Sequence, residues 1–312
     1  MEFYNLKRKQ KKVRLLGEFR FMLCNKFGLL KIGVYFDYQK KEFRFYFFPC
    51  CWKFNFDTSF SISEFEEILN LSNRKFEKFI NSYFDKLSDT LGNGICQVNI
   101  KTKKRFLGIA AGVNLDCNIR CIFCSVQLTR KYLTQEISKK LKEIYFKLLY
   151  KTSQCNFSIL ETTGMGEPFF YKNDFYTFLK NIPKKSKLRR INIVTNGLLV
   201  DDDFAEITKN SKLRYEINFS INGWDRESYK YLMGVDGFDK VFKNIEKLKE
   251  SSNVELWLSF VITEYTIQNR NSFFEAIKKL KEKYFCHLQK ELSIPQEKYN
   301  EFKFEFDTRM GY

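Results

Sequence analysis

The spacing of hydrophobic residues divides the chain into two parts near residue 105. In the first part, segments 29–38 and 43–56 are rich in β-branched and aromatic residues, and the polar residues 39–42 lie between them. Phe43, Phe45 and Phe47 recur at every second position, which is the period of a strand whose alternate side chains share one face. This pattern predicts a β-hairpin.

Two helices are predicted after the hairpin. Ser61 and Glu64 have the spacing of a capping box directly before Phe65, an arrangement that satisfies two backbone N–H groups at a helix start. A second apolar stripe with helical spacing follows between Phe76 and Leu87. We therefore predict that residues 1–105 form a small α+β module.

From residue 106 onward, apolar strand-like runs alternate with helical segments, and Thr134 is predicted to cap one of these helices. Strands separated by helices are parallel, because parallel neighbours need a crossover connection. We therefore predict an α/β core over residues 106–312, with functional residues after the carboxyl ends of its strands. The core is expected to stop after its sixth strand, without the helix that usually follows. The predicted strands are Phe106–Val113, Phe157–Leu160, Ile191–Val194, Tyr215–Ile221, Val254–Ile262 and Phe302–Phe306.

Composition narrows the chemistry that this chain can perform. Its 312 residues include 54 basic and 37 acidic side chains, so the formal net charge is +17, and residues 101–200 alone carry 19 basic and 6 acidic. Such a region could attract an anionic cofactor, a nucleic acid or an acidic peptide, but on charge alone a lysine-rich solvated surface is the favoured interpretation. The single histidine, His287, excludes centres that need two or more histidines from this chain, such as those of zinc hydrolases. We expect His287 to be structural, near a helix end.

Cysteine usage and hydropathy predict a cytoplasmic protein. The nine cysteines are odd in number and irregularly spaced, which does not fit a secreted disulfide framework. Charged residues interrupt the apolar positions near the N-terminus, and no later apolar run approaches the ~20 residues that a membrane span needs. We expect a reducing compartment, no signal peptide and no association with membranes.

Three cysteines follow the first predicted strand of the core. Cys117, Cys121 and Cys124 are separated by four and three positions, and no fourth cysteine lies nearby. Three thiolates can hold a four-iron, four-sulfur (4Fe-4S) cluster and leave its fourth iron open to another ligand. Two alternatives are open at this point. Positions i, i+4 and i+7 would also suit buried core cysteines on one helix face, or the thiols could belong to a structural zinc site, although such sites prefer paired Cys-x-x-Cys units and a fourth ligand.

The cysteine motif and three later strand ends resemble the radical S-adenosylmethionine (SAM) enzymes. In that family a Cys-x-x-x-Cys-x-x-Cys motif with an aromatic residue, here Phe123, follows the first strand. The sequence Gly164-Met165-Gly166-Glu167-Pro168 after the second strand is similar to the family's Gly-Gly-Glu-Pro motif. Thr195-Asn196-Gly197 and Ser220-Ile221-Asn222 look like the ends of the third and fourth strands. The resemblance covers residues 105–309.

This resemblance implies a fold, two cofactors and a reaction. The fold would be a partial (β/α)6 barrel, with Cys117, Cys121 and Cys124 binding a 4Fe-4S cluster and SAM binding its fourth iron. A flavodoxin- or ferredoxin-type donor would reduce this oxygen-sensitive cluster. SAM would then break into methionine and a 5′-deoxyadenosyl radical that abstracts hydrogen from the substrate.

The resemblance also implies which residues contact SAM. Glycines would let the backbone approach the methionine ammonium, the glutamate and proline would shape that turn, polar residues would face the ribose or carboxylate, and the aromatic residue would pack near the adenine. The residues assigned in this way are Phe123, Gly164, Gly166, Glu167, Pro168, Thr195, Asn196, Ser220 and Asn222.

The substrate is less closely defined by the sequence. Residues 220–241 look similar to the radical SAM enzymes that modify peptides and proteins or cyclise nucleotides. With only Cys286 after the core, this chain would build none of the auxiliary clusters often found there. We expect a peptide or protein substrate, recognised with the help of residues 1–105. RNA or a nucleotide is the alternative substrate, and a non-enzymatic iron–sulfur or zinc protein is the third hypothesis.

Overall fold

The computed structural model describes residues 29–49, 59–91, 108–124, 126–162, 166–291 and 293–310. They belong to two compact units. The first comprises Met1–Asp116, Ser125–Gly166 and Thr177–Arg189, and the second comprises Cys117–Cys124, Glu167–Tyr176 and Arg190–Tyr312.

The first unit is built on a mixed sheet. β1 and β2 form the predicted antiparallel hairpin, with Tyr35 opposite Arg44, and β1 also runs parallel to β4. The N-terminal hairpin therefore extends the sheet that holds the first strand of the predicted core. Across this sheet the order is β3 (Phe60–Ser61), β2 (Glu42–Pro49), β1 (Leu29–Asp37), β4 (Gly108–Gly112) and β5 (Ile159–Thr162).

Both predicted helix caps of the first unit are confirmed. Ser61 Oγ accepts a hydrogen bond from the Glu64 N–H, and the Glu64 carboxylate accepts one from the Ser61 N–H. The Thr134 hydroxyl likewise accepts from the Ile137 N–H. Phe65 stacks on Phe45 with 4.3 Å between ring centroids, which packs the first helix against the hairpin. The helices are α1 (Ile62–Asn70), α2 (Asn73–Leu91), α3 (Gln127–Arg130) and α4 (Gln135–Gln154).

The second unit is built on four parallel strands, β6 (Arg190–Thr195), β7 (Arg214–Ser220), β8 (Val254–Ile262) and β9 (Phe285–Lys290). Strands alternating with helices after a small α+β module confirm the predicted α/β class. In the described part of the chain, no helix has both the length and the apolar character needed to cross a membrane. A 3₁₀-helix (Pro168–Tyr171) comes first, and the α-helices after it are α5 (Lys172–Lys180), α6 (Asp202–Lys209), α7 (Arg226–Met233), α8 (Phe238–Leu248), α9 (Glu264–Gln268), α10 (Arg270–Lys281) and α11 (Gln296–Met310).

The two faces of β6–β9 differ in polarity. One face packs against helices, as where Phe260 of β8 meets Phe273 of α10 with 5.7 Å between ring centroids. Its buried side chains include Ile191, Ile193, Ile217, Phe219, Leu258 and Phe260. The other face carries polar side chains even where it is buried, namely Asn192, Glu216, Asn218 and Ser259. Parallel sheets are normally apolar on both faces, so the polar face is suited to binding rather than to packing.

The C-terminal segment differs from the sequence prediction. Residues 302–306 lie inside α11, and β9 is the sixth strand after residue 105 among the described residues. The phenylalanines alternate as in a strand, but Phe302 and Phe306 also share a helix face and are each 3% exposed, whereas Phe304 is 75% exposed. The prediction of a strand at 302–306, and of a core without its last helix, is therefore wrong because this sequence fits both periods.

Candidate cofactor site

The predicted iron–sulfur cysteines lie in the irregular loop 117–124. Cys117, Cys121 and Cys124 are half-buried thiols that form no disulfide, and the Cys124 N–H donates to the Cys121 carbonyl at 3.1 Å in a tight turn. Because the loop is not helical, the three side chains do not form a helix face. The alternative of buried cysteines on a core helix is therefore wrong.

The C-terminal end of α7 anchors this loop. The Ile122 N–H donates to the Leu232 carbonyl oxygen at 3.0 Å. Gly234 caps α7 with a φ of 73°, a left-handed conformation that favours glycine. A Cβ atom at Gly234 would also lie 2.8 Å from the Arg120 carbonyl oxygen. Glycine is therefore required for the helix end and the loop to approach this closely.

Met233, the last residue of α7, connects the loop to the end of β7. Its thioether sulfur is 3.7 Å from Cys121 Sγ and 3.2 Å from Asn222 Nδ2. Asn222 has a φ of 59°, and its Oδ1 accepts a hydrogen bond from the Val261 N–H at 2.9 Å. Both ends of the Asn222 amide are thus occupied within the fold, and the residue supports the cysteine loop through Met233.

Asn196, at the end of β6, contacts the first cysteine. Its Nδ2 donates to Asn118 Oδ1 at 2.8 Å and lies 3.8 Å from Cys117 Sγ. Its Oδ1 accepts from the Leu198 N–H at 3.1 Å. The loop is therefore held by the ends of two different elements, with an amide beside Cys117 and a thioether beside Cys121.

Glu167 links the 3₁₀-helix to the end of β6. Its Oε1 accepts from the Phe169 N–H at 3.1 Å and from the Thr195 hydroxyl at 2.7 Å, while its Oε2 accepts from the Asn196 N–H at 2.8 Å. Burial raises the pKa of Glu167 to about 7, although these three hydrogen bonds oppose the rise. The carboxylate thus fixes the backbone of Asn196, and Pro168 opens the 3₁₀-helix beside it.

Gly166 lies against backbone within the first unit. A Cβ atom at this position would be 2.3 Å from the carbonyl oxygen of Asp116, directly before the cysteine loop. The Asp116 carboxylate accepts a hydrogen bond from the Ser138 hydroxyl at 2.5 Å. Glycine is required at position 166 because the backbone there packs closely against the backbone at Asp116. Gly164 lies outside the described residues.

Ser220 and Phe123 are the other two residues assigned to SAM from the sequence. Both are half-buried, Ser220 as the last residue of β7 and Phe123 within the cysteine loop. The Ser220 hydroxyl makes no hydrogen bond to a described residue. Of the assigned polar side chains it is the one best placed to contact a ligand, since Thr195, Asn196 and Asn222 are engaged as above.

A buried amide on the polar face of β6–β9 has a donor without a partner. Asn218 Oδ1 accepts from the Ser259 hydroxyl at 2.5 Å, while no described residue accepts from its Nδ2. Asn218 is 2% exposed, and a buried donor without an acceptor is unfavourable. Ser220 and His287 occupy the row of Ser259 on this face. His287 was expected near a helix end, but it lies in β9, and no sequence signal pointed to Asn218.

The donor set of the loop fits an iron–sulfur cluster. Thiolates are the soft ligands of such clusters and of zinc, and three of them leave one iron of a 4Fe-4S cluster for a further ligand. No three His, Cys, Asp or Glu side chains within the described ranges are grouped to hold a single metal ion. The neighbouring amide and thioether are contacts of the kind that orient and tune metal ligands.

Curated relatives share sequence with about half of the chain. GTP 3′,8-cyclase of Clostridium perfringens (strain SM101 / Type A) is 28% identical over 148 residues, which cover 47% of this chain and 44% of the relative. A probable GTP 3′,8-cyclase of Saccharolobus islandicus (strain Y.N.15.51 / Yellowstone #2) is 30% identical over 163 residues, covering 52% and 48%. The match spans less than half the length of these relatives.

Solved structures also align with the chain. Native anSMEcpe with bound AdoMet aligns over 65% of this chain and 61% of its own, with a TM-score of 0.47 and 18% identity. Streptococcus suis SuiB aligns over 65% of this chain and 47% of its own, with a TM-score of 0.46 and 18% identity.

The family model of the radical SAM superfamily matches residues 115–280. This match begins just before the cysteine loop, extends through β5–β8, and covers more than half of the chain. The chain therefore belongs to the radical SAM superfamily of enzymes, which use a 4Fe-4S cluster and S-adenosylmethionine.

Proposed function

We propose that Cys117, Cys121 and Cys124 bind the 4Fe-4S cluster and that this protein abstracts hydrogen from a substrate by radical SAM chemistry. When bound, the cluster supplies the electron that cleaves SAM into methionine and a 5′-deoxyadenosyl radical. The observation that carries this proposal is the loop of three thiols, anchored by α7 and by the ends of β6 and β7.

The other residues of the site have two kinds of role in this proposal. Glu167, Thr195, Asn196 and Asn222 position the loop and the strand ends, because their side chains are already hydrogen-bonded within the second unit. Ser220 contacts SAM through its hydroxyl. The proposal retains the SAM contacts that the sequence predicted for four other residues, namely Phe123, Gly164, Gly166 and Pro168. The electron comes from a flavodoxin- or ferredoxin-type protein.

We propose that the substrate is a nucleotide, in preference to the peptide or protein that the sequence predicted. Two observations support this order. The curated relatives are named as enzymes that cyclise GTP, and Asn218 presents an amide donor on the polar face near Ser220. Amide groups of this kind read the acceptors of bases. Residues 1–105, which include the hairpin beside β4, are proposed to take part in recognising the substrate.

Anaerobic reconstitution with iron and sulfide tests the enzymatic activity. We expect the reconstituted protein, once reduced, to release 5′-deoxyadenosine and methionine from SAM in equal amounts, and the protein without iron to release neither. Chromatography of the products measures both. A protein that binds iron but never cleaves SAM, or that binds a single zinc ion instead, would contradict the proposed function.

Isotope transfer tests the substrate class separately. With GTP deuterated in its ribose, we expect deuterium to appear in 5′-deoxyadenosine, because the radical takes its hydrogen from the substrate. Peptides and RNA with deuterated side chains or riboses serve as the comparison. Transfer from a peptide or from RNA but from no free nucleotide would reverse the order proposed here, while the cleavage of SAM would stand.

A further inference from the structure

Tyr229 lies one helical turn before Met233 on the same face of α7. Residues four positions apart on a helix are neighbours on its surface, and the Met233 thioether is 3.7 Å from Cys121 Sγ. Tyr229 is therefore a neighbour of Met233, the residue of α7 that contacts Cys121. Its ring is 0% exposed and packs edge-on against Phe238, with 5.8 Å between centroids, so its position is well fixed.

The Tyr229 hydroxyl is buried without a hydrogen-bond partner among the described residues. Burial raises the pKa of this phenol, and the nearby Cys121 and Glu167 raise it further. Cys121 and Glu167 are therefore the ionisable groups that interact electrostatically with the hydroxyl. Burying a hydroxyl without a partner is costly, because its hydrogen bonds to water are lost and not replaced.

Glu167 does not supply the missing partner. Its two carboxylate oxygens accept hydrogen bonds from Phe169, Thr195 and Asn196, and the Tyr229 hydroxyl is not among the donors. Cys121 is the other group that acts on Tyr229, and it is one of the three cysteines expected to bind the cluster. The unpaired donor is thus on the same helix face as Met233, which contacts Cys121, and Cys121 would carry negatively charged sulfur when the cluster is bound.

We propose that Tyr229 is a positioning residue whose hydroxyl donates a hydrogen bond to the sulfur held at Cys121 when the cluster is bound. This inference rests on the proposed function, because it needs the cluster. A hydrogen bond to a cluster sulfur stabilises the more negative, reduced state and so raises the reduction potential. Tyr229 thereby makes the cluster easier to reduce, at a cost in stability to the cluster-free chain.

The variant Tyr229→Phe tests this proposal through two quantities that should change in opposite directions, the melting temperature and the midpoint potential. In the cluster-free protein, the variant should melt at a higher temperature than the wild type, because the unpaired hydroxyl is gone. In the reconstituted protein, the midpoint potential from a redox titration followed by electron paramagnetic resonance should fall. Tyr215→Phe is the matched control, since the Tyr215 hydroxyl is bonded to Ser211 Oγ at 3.1 Å. Tyr215→Phe should neither raise the melting temperature of the cluster-free protein nor lower the midpoint potential of the reconstituted protein.

The outcomes separate this inference from the proposed function. If the wild-type chain binds the cluster and cleaves SAM, but Tyr229→Phe leaves the potential unchanged, the inference alone is wrong. A lower melting temperature of the cluster-free variant would show that the hydroxyl is already bonded without the cluster, which also overturns the inference. A wild-type chain that binds no iron would overturn both.

Discussion

Replacing Cys121 by alanine is expected to abolish iron binding and SAM cleavage together. A cluster held by three thiolates loses one of its three protein ligands, and no fourth cysteine lies near the motif in the sequence to replace it. Changes in residues that only support metal ligands cost 10–100-fold, so removing a ligand should lower 5′-deoxyadenosine formation by more than about 100-fold. Iron and sulfide content after reconstitution, and product formation, measure the effect.

Cys155→Ala provides the matched control for this experiment. Cys155 is a thiol of the first unit, is 2% exposed, and has a pKa raised to about 12 by burial. It therefore stays protonated at neutral pH and is a poor metal ligand. We expect Cys155→Ala to keep the iron content of the wild type. Retention of a normal cluster in Cys121→Ala, or equal loss in both variants, would contradict the ligand assignment.

The second large effect is a pH dependence of stability that Glu167 causes. The folded protein holds this proton with a pKa of about 7, against 4.5 for an ordinary glutamate. The tighter binding of this proton in the folded state stabilises the protein. This stabilisation is fully present below pH 4.5, is lost as the pH rises to about 7, and is absent at higher pH. At 1.36 kcal/mol for each pKa unit of difference, Glu167 should lower the free energy of unfolding by roughly 3 kcal/mol across this window.

Urea unfolding of the cluster-free protein at several pH values checks this dependence. In Glu167→Gln, the fall in the free energy of unfolding between pH 4.5 and about 7 should be absent. The variant should also be less stable overall at acid pH, since its amide nitrogen cannot accept from the Asn196 N–H. Glu206→Gln, at an exposed position of α6, should keep the wild-type profile. Parallel pH curves for the wild type and Glu167→Gln would contradict the assignment of the effect to Glu167.

Local signals in the sequence predicted local structure well. The capping box at Ser61 and Glu64 and the cap at Thr134 depend on residues three positions apart, and the structure confirms both. The hairpin was predicted from alternation within single strands and is confirmed over residues 29–49, whereas residues 50–56 of its second predicted segment lie outside the described residues. Each of these features depends on backbone groups that the neighbouring residues can reach, so short spacings are enough to specify it.

Features that depend on the sheet register could not be predicted in this way. β9 was missed because its sequence, FCHLQK, carries His287 on the polar face and so shows no apolar run. Asn218 and Ser259 are 41 positions apart, and only the pairing of β7 with β8 brings them together. The motif residues were identified by their resemblance to a family, but the use of Asn196 and Asn222 as supports for the loop depends on contacts far apart in the chain.

The contact between Cys121 and Met233 also has a consequence for when the cluster can be inserted. The two residues are 112 positions apart in the chain. A ribosome adds roughly 5–20 residues per second, so the cysteines leave it on the order of ten seconds before the end of α7 does. During that interval the loop lacks Leu232, Met233 and Gly234, which hold it in place. Cluster delivery is therefore expected to follow synthesis of this helix rather than to accompany the emergence of the cysteines.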